Sequence, residues 1–294
     1  MTWLLIVVVA YFLNAFSTVV GKFLLIKNPQ PVVYAFYANV LGLGGLVLIP
    51  FGFQMADPLQ IAIAMVGGIM FTFAILYMFG ALSQNEASRI GPFIGGLQPL
   101  FILGLAWFFL GERLAFMPLL GLVAIMGGTI LISLNKEKAN RKGYMMALVA
   151  TILFAISYTI SKYTFTEQGF VSGFVWGRVG AFVGALFFII WPPQRKIIFS
   201  DIRDPKTDTG GLFILGQVTG AISAIMVYYA ISISSSLAIV NATRGIEYVF
   251  LLIMTVLLSK KVPRILKENM SEEAITQKAI ATILIIIGLI IIAL

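Results

Sequence analysis

AYFLNAFSTVVGKF, residues 10–23, comes back without a gap as ATILFAISYTISKY, residues 150–163. Ala10, Leu13, Ala15, Ser17 and Lys22 fall on Ala150, Leu153, Ala155, Ser157 and Lys162. Further along, GLQPLF (96–101) matches GIEYVF (245–250), and Gly127 matches Gly288. Each pairing alone is weak. Together, and in the same order, they predict that the second half of the chain repeats the first.

What is repeated is apolar. Sixty per cent of the 294 residues are hydrophobic and 11% are charged, against about 25% charged in ordinary globular chains. A soluble core does not explain that balance. Crossing roughly 30 Å of hydrocarbon takes about 20 mainly apolar residues. Ten segments qualify: about 3–26, 31–53, 58–82, 88–110, 116–134, 144–166, 170–191, 212–233, 236–259 and 276–294. The first has no basic residues ahead of it and is too long for the apolar core of a signal peptide, so it reads as a span.

Five spans per repeat is an odd number, so the second copy enters the membrane from the opposite side. The expected fold is an all-α integral membrane protein, ten transmembrane helices in two inverted five-helix repeats around a central cavity. The first repeat takes residues 1–134, a basic linker 135–143, and the second repeat 144–294. Inverted repeats are an architecture of secondary transporters, whose sites lie near mid-membrane between the repeats.

Loop charge sets an orientation. Connections 1, 3, 5, 7 and 9, counted with Arg89 and Lys278 at the adjoining span edges, carry fifteen lysines and arginines, and the even connections carry Arg113 alone. The positive-inside rule places the odd connections in the cytoplasm and both termini outside. The same distribution accounts for the net charge of +8 without a nucleic-acid-binding face. The 192–211 and 136–142 stretches read as solvated connectors, as does 259–278, whose basic start could also touch anionic lipid.

Charges inside spans face a bundle interior or a water-filled cavity and are functional candidates by default. In NATRGIEYVF (241–250), Asn241, Arg244, Glu247 and Tyr248 fall on one face of a helix. One reading is a substrate site; the other is an internal Arg244–Glu247 pair that locks packing. Through the repeat these residues correspond to Pro92, Gly95, Gln98 and Pro99. If the two helices meet, Gly95 and Gly96 leave room opposite the arginine and Gln98 adds an amide. Pro92 and Pro99 each remove a backbone donor and favour a bend lining a cavity. Close packing through Gly91 and Gly95 is the alternative.

Asn14 and Ser17 form a polar stripe on the first span, and Ser157, Tyr158 and Ser161 repeat much of it on the sixth. Such stripes either line a pathway or bond their own helix. Arg178, with Trp176 beside it, sits well inside the seventh span, and Asn39 is its counterpart in the first repeat. Arg178 and Arg244 against Glu247 leave a positive interior, suited to a carboxylate- or phosphate-bearing solute. Lys22 and Lys162 lie about a turn from their helix ends, where they can snorkel to the interface or act as gates on opposite faces.

Cysteine and histidine are absent, which excludes disulfides, thiolate nucleophiles, the usual zinc sites and histidine proton relays. No P-loop, G-x-S-x-G or H-E-x-x-H motif is present. The chain reads as no enzyme and as needing no cofactor. The partners expected are a small-molecule substrate and membrane lipid, with proton coupling and solute exchange both open and oligomeric state unassigned.

FGALSQNEASRIGPFIGGLQPLFILGLAWFFLGERL (79–114) followed by GLVAIMGGTILI (121–132) resembles the EamA-type family of the drug/metabolite transporter superfamily. The features that match are Ala81-Leu82, Glu86-Ala87-Ser88, Pro99, Leu110-Gly111-Glu112-Arg113 and the glycines of the fifth span; Arg178 in WGRVG matches too. The resemblance implies a ten-helix carrier of small metabolites, read here as an exporter of amino acids or other carboxylate-bearing solutes. It also implies cytoplasmic termini, opposite to the loop charge. The second half has Ser259-Lys260-Lys261 in place of the Gly-Glu exit. The first span lacks the acid that small multidrug exporters of the superfamily use, which argues against proton-coupled export of hydrophobic cations. A flippase for lipids or lipid-linked sugars shares this architecture, and a structural membrane protein is the third reading.

Overall fold

The computed structural model describes residues 2–24, 30–85, 87–133, 140–201, 210–259 and 272–293, and among these every regular element is a helix. In chain order they are α1 (Thr2–Leu24), α2 (Pro31–Gly42), which tightens into a 3₁₀ segment (Leu43–Phe51), α3 (Pro58–Leu82), α4 (Ala87–Phe109), α5 (Phe116–Ser133) and α6 (Arg141–Gln168). Then come α7 (Phe170–Ile190), α8 (Pro192–Asp201), α9 (Gly210–Ile233), α10 (Leu237–Ala242), α11 (Gly245–Ser259) and α12 (Glu272–Ala293).

Local chemistry sets the boundaries. Proline occupies the first turn of α2 and of α3, where its missing N–H costs nothing. Asn140 caps α6 by accepting the Lys142 N–H at 3.0 Å. Gly169, at φ 79°, lets α6 turn directly into α7, a conformation closed to most L-residues.

Among the described residues seven helices, α1, α2 with its 3₁₀ extension, α3, α4, α6, α7 and α9, are long and apolar enough to cross a membrane. Phe116–Leu131 and Thr276–Ile292 are shorter apolar helices. The ninth predicted span differs from expectation. It is not one helix but two, α10 and α11, broken at Thr243–Arg244. The expected connector at 192–211 also differs: its first half is the helix α8, and Ile198 is fully buried in the core. Lys22's side chain, residues 134–139 and residues 260–271 lie outside what is described, so the expectations for them are neither met nor missed.

Helices interlock through small residues, because lipid offers no hydrophobic drive for one helix to leave it for another. A Cβ on Gly68 of α3 would strike the backbone of Gly177 and Ala181 on α7, and one on Gly180 of α7 would strike Met65. Gly121 of α5 and Gly288 of α12 meet the same way. Between α1 and α9 the close approach carries hydrogen bonds, Ser17 Oγ to the Gly216 carbonyl and Ser223 Oγ to the Ala10 carbonyl, both at 2.7 Å. In each case a helix of one half packs on a helix of the other. Leu5, Trp107, Phe108, Ile190 and Ile290 stand exposed on the outside, as a lipid-facing surface requires.

Candidate functional site

The break in the ninth span is a tight turn rather than a loop. The N–H of Arg244 bonds the Asn241 carbonyl at 3.1 Å and that of Glu247 bonds the Arg244 carbonyl at 2.9 Å. Gly245 makes the turn possible, since a Cβ there would press on Ile125 and Thr129 of α5. Two half-helices meeting here bring a helix C-terminus and a helix N-terminus together.

Arg244 lies in the break and Glu247 in the first turn of α11, where a negative charge is favoured. Their side chains pair, Nε to Oε2 at 3.2 Å. Exposure separates them: the arginine side chain is 22% accessible and the glutamate 5%. The arginine side chain therefore keeps some accessible surface, while the glutamate is closed in. Tyr11, Tyr158 and Tyr248 lie within electrostatic reach of Arg244, so the charge sits among phenol hydroxyls. Tyr11 is itself held by a bond from its hydroxyl to the Val240 carbonyl at 3.2 Å.

The two stretches matched by the repeat do meet. Gln98 of α4 donates its amide to Asn241 Oδ1 at 3.1 Å, both side chains buried, and the Tyr248 hydroxyl donates to the Gly91 carbonyl at 2.6 Å. The room expected at Gly95 and Gly96 is not there. The Tyr248 ring fills the space at Gly95, and Gly96 faces Ile130 of α5. Small residues here admit a partner side chain, not cargo. Pro92 and Pro99 are buried within α4, which runs through both. The single helix face expected for Asn241, Arg244, Glu247 and Tyr248 is likewise interrupted by the break, although all four still turn to the same interior.

A second cationic group lies nearby. The Arg178 guanidinium stacks on Phe71, Phe174 and Tyr228, 4.9, 5.1 and 5.1 Å from the ring centroids, an arrangement attractive through the ring quadrupoles. Among the described residues no carboxylate pairs with it, and its Nε is buried without a hydrogen-bond partner. Tyr158 connects the two arginines: its ring packs on Tyr228 at 5.4 Å, and both guanidinium groups act on it.

The other predicted residues separate. Ser17 is tied to α9, and Asn39 is buried with its amide on the Ala35 carbonyl at 2.7 Å and its Oδ1 unpartnered. Trp176 packs on Phe53 at 6.1 Å, with Nε1 buried and unbonded. Asn14 is half-buried on α1. Lys162 bonds through Nζ to the carbonyls of Ile231 and Ser234, at 3.0 and 2.6 Å, at the end of α9. Sequence reasoning missed Tyr11, Tyr228 and Phe71. A tyrosine inside an apolar run was the available signal for the first two; Phe71 had none.

The fold and this interior define a helical protein with membrane-spanning helices and charged groups gathered at a broken helix. Residues 1–134 match the EamA-like transporter family, so the resemblance to EamA-type proteins of the drug/metabolite transporter superfamily is shown on that half. Over 162 residues, 53% of this chain, the sequence is 28% identical to Phosphoenolpyruvate/phosphate translocator 3, chloroplastic, from Oryza sativa subsp. japonica. The match spans 40% of that relative's length. A solved crystal structure of a protein covers 99% of this chain and 96% of its own at TM-score 0.65 and 18% identity, a likeness of fold alone.

Proposed function

We propose that the chain is a secondary transporter of small anionic metabolites that works by alternating access between two inverted five-helix halves, 1–134 and 144–294, joined at 135–143. The observation that carries the reading is Arg244, a cation at a helix break that keeps some accessible side-chain surface while its partner Glu247 is closed in. A solute carboxylate or phosphate replaces Glu247 as the partner of the guanidinium, and the pair re-forms when the solute leaves. Charge-assisted bonds of this kind are about twice as strong as neutral ones.

Arg178, with which no carboxylate pairs among the described residues, supports an anion rather than a simple organic cation, and so does the relative whose name carries phosphoenolpyruvate and phosphate. Amino acids and other carboxylate-bearing solutes fit the same field. Export as the direction rests on the resemblance alone, and a carrier without its own energy source follows the gradients it is given. The groove lined by Leu100, Leu103, Trp107, Glu112 and Leu119 shares no residue with the polar interior, which favours a soluble cargo over a lipid.

The test is a thermal-stability screen of purified protein against amino acids, dicarboxylates, inorganic phosphate, phosphoenolpyruvate and amines, with Arg244→Met in parallel. Anions are expected to stabilise the wild type and not the variant. Stabilisation by amines alone would overturn the reading.

A further inference from the structure

Glu112 and Lys162 grip one corner of the chain from its two ends, and neither belongs to the polar interior. The corner is 233–237, where α9 stops and α10 begins. Lys162, from α6, donates through Nζ to the carbonyls of Ile231 (3.0 Å), Ser232 (3.5 Å) and Ser234 (2.6 Å). The final carbonyls of a helix lack partners of their own and favour a cation. Glu112, from the turn between α4 and α5, accepts the Leu237 N–H with both carboxylate oxygens, at 3.2 and 3.1 Å. It also lies close enough to Lys162 to act on it electrostatically. Within the corner, Ser234 Oγ donates to the Ser236 carbonyl at 3.1 Å and Ser236 Oγ accepts the Ile239 N–H at 3.4 Å.

We propose that this arrangement is a latch, in which Glu112 closes one face of the carrier by holding the corner that Lys162 supports. The fourth connection carries Glu112, the eighth is the corner itself, and Lys162 lies near the sixth. All three are even connections, so they share one face of the membrane. Of the bonds at the corner, those to Glu112 cross from the first half of the chain to the second. The corner leads straight into α10, six residues long, which carries Asn241 to Gln98 and ends at Arg244. Releasing Glu112 frees the near end of that short lever while the break at Thr243–Arg244 holds its far end, so opening the face and rearranging the site are one movement.

The repeat makes the latch one-sided. Lys162 corresponds to Lys22, but the position matching Glu112 at the spacing of GLQPLF and GIEYVF is Lys261. An ammonium group has no acceptor for a backbone N–H. The repeat therefore does not supply a second carboxylate at the position matching Glu112. The latch rests on the alternating-access reading but not on the chemistry of the cargo.

The chain has no cysteine, so Ser161→Cys introduces a single thiol. Ser161 is half-buried beside Lys162 and lies against Tyr228. Its labelling by a membrane-impermeant maleimide is followed from each side of oriented vesicles, with Glu112 intact and as Glu112→Gln. Trading charge-assisted bonds for neutral ones is expected to raise the rate from the even-connection face about fivefold to tenfold and to lower it from the opposite face. Lys162→Gln is expected to act in the same direction. If Glu112→Gln does not fold, Glu112→Asp, shorter by one methylene, is read by the same comparison. Unchanged labelling in a folded variant, or a rise from both faces together, would make the corner a structural brace and overturn the proposal. Because no solute enters the experiment, its failure is distinct from a failure to find cargo.

Discussion

Replacing Arg244 by methionine removes one member of a pair whose other member cannot reach water. Glu247 is 4% exposed and its carboxylate is 3.2 Å from the guanidinium. Breaking a buried pair by deleting one partner costs about 3–5 kcal/mol, whereas replacing both members by neutral groups of similar volume is often close to neutral. Arg244 keeps partial access, so the low end applies, and Arg244→Met is expected to lose about 3 kcal/mol. The double variant Arg244→Met/Glu247→Gln should recover to within about 1 kcal/mol of wild type. Binding follows a different pattern. A charge-assisted bond to the solute is worth about 1.5–3 kcal/mol, or roughly tenfold to 150-fold in affinity, and it is absent from both variants. Thermal unfolding of the three proteins, with and without the anion that stabilises wild type, separates the effects. Stability that recovers while the ligand response stays lost is the expected result. A double variant that regains the response would refute the role given to Arg244, and a single variant as stable as wild type would refute the buried pair.

Three other outcomes follow from the packing. Gly95→Ala drives a methyl group into the Tyr248 ring and should cost about 1–3 kcal/mol, relieved by Tyr248→Ala in a double-mutant cycle. Gln98→Leu leaves Asn241 Oδ1 buried without a donor and should cost about 1–3 kcal/mol, with Gln98→Leu/Asn241→Leu more stable than either single change. Gly180→Val places a branched side chain against the Met65 backbone; overpacking of at least about 1–3 kcal/mol should show as a lowered melting temperature and loss of folded yield, where Gly127→Ala, which meets nothing within 4 Å, should not.

The apolar segments were legible because helix length in a membrane is set by thickness, and length is read directly from sequence. The convergence of α4 with the ninth span was legible too, since GLQPLF and GIEYVF match in sequence. The break at Thr243–Arg244 was not. NATRGIEYVF holds no proline; its one local hint is Gly245, which reads equally as a place where α5 packs close. The same holds for Gly95, whose missing side chain reads equally as room for cargo or as a seat for Tyr248. Glu112 was visible only as part of a family motif; its work at Leu237, 125 residues away along the chain, belongs to the fold. For Lys162, distance from a helix end left snorkelling and gating both open, and its contact with the last carbonyls of α9 belongs to the fold.

Counterflow in proteoliposomes tests the central claim most directly. Vesicles loaded with unlabelled aspartate, malate or inorganic phosphate are diluted into the labelled solute, with choline as the cationic control. An alternating-access carrier of anions shows a transient overshoot of label for at least one of the anions, none for choline, and none with Arg244→Met. An overshoot for choline alone, or one for an anion that survives Arg244→Met undiminished, would contradict the account.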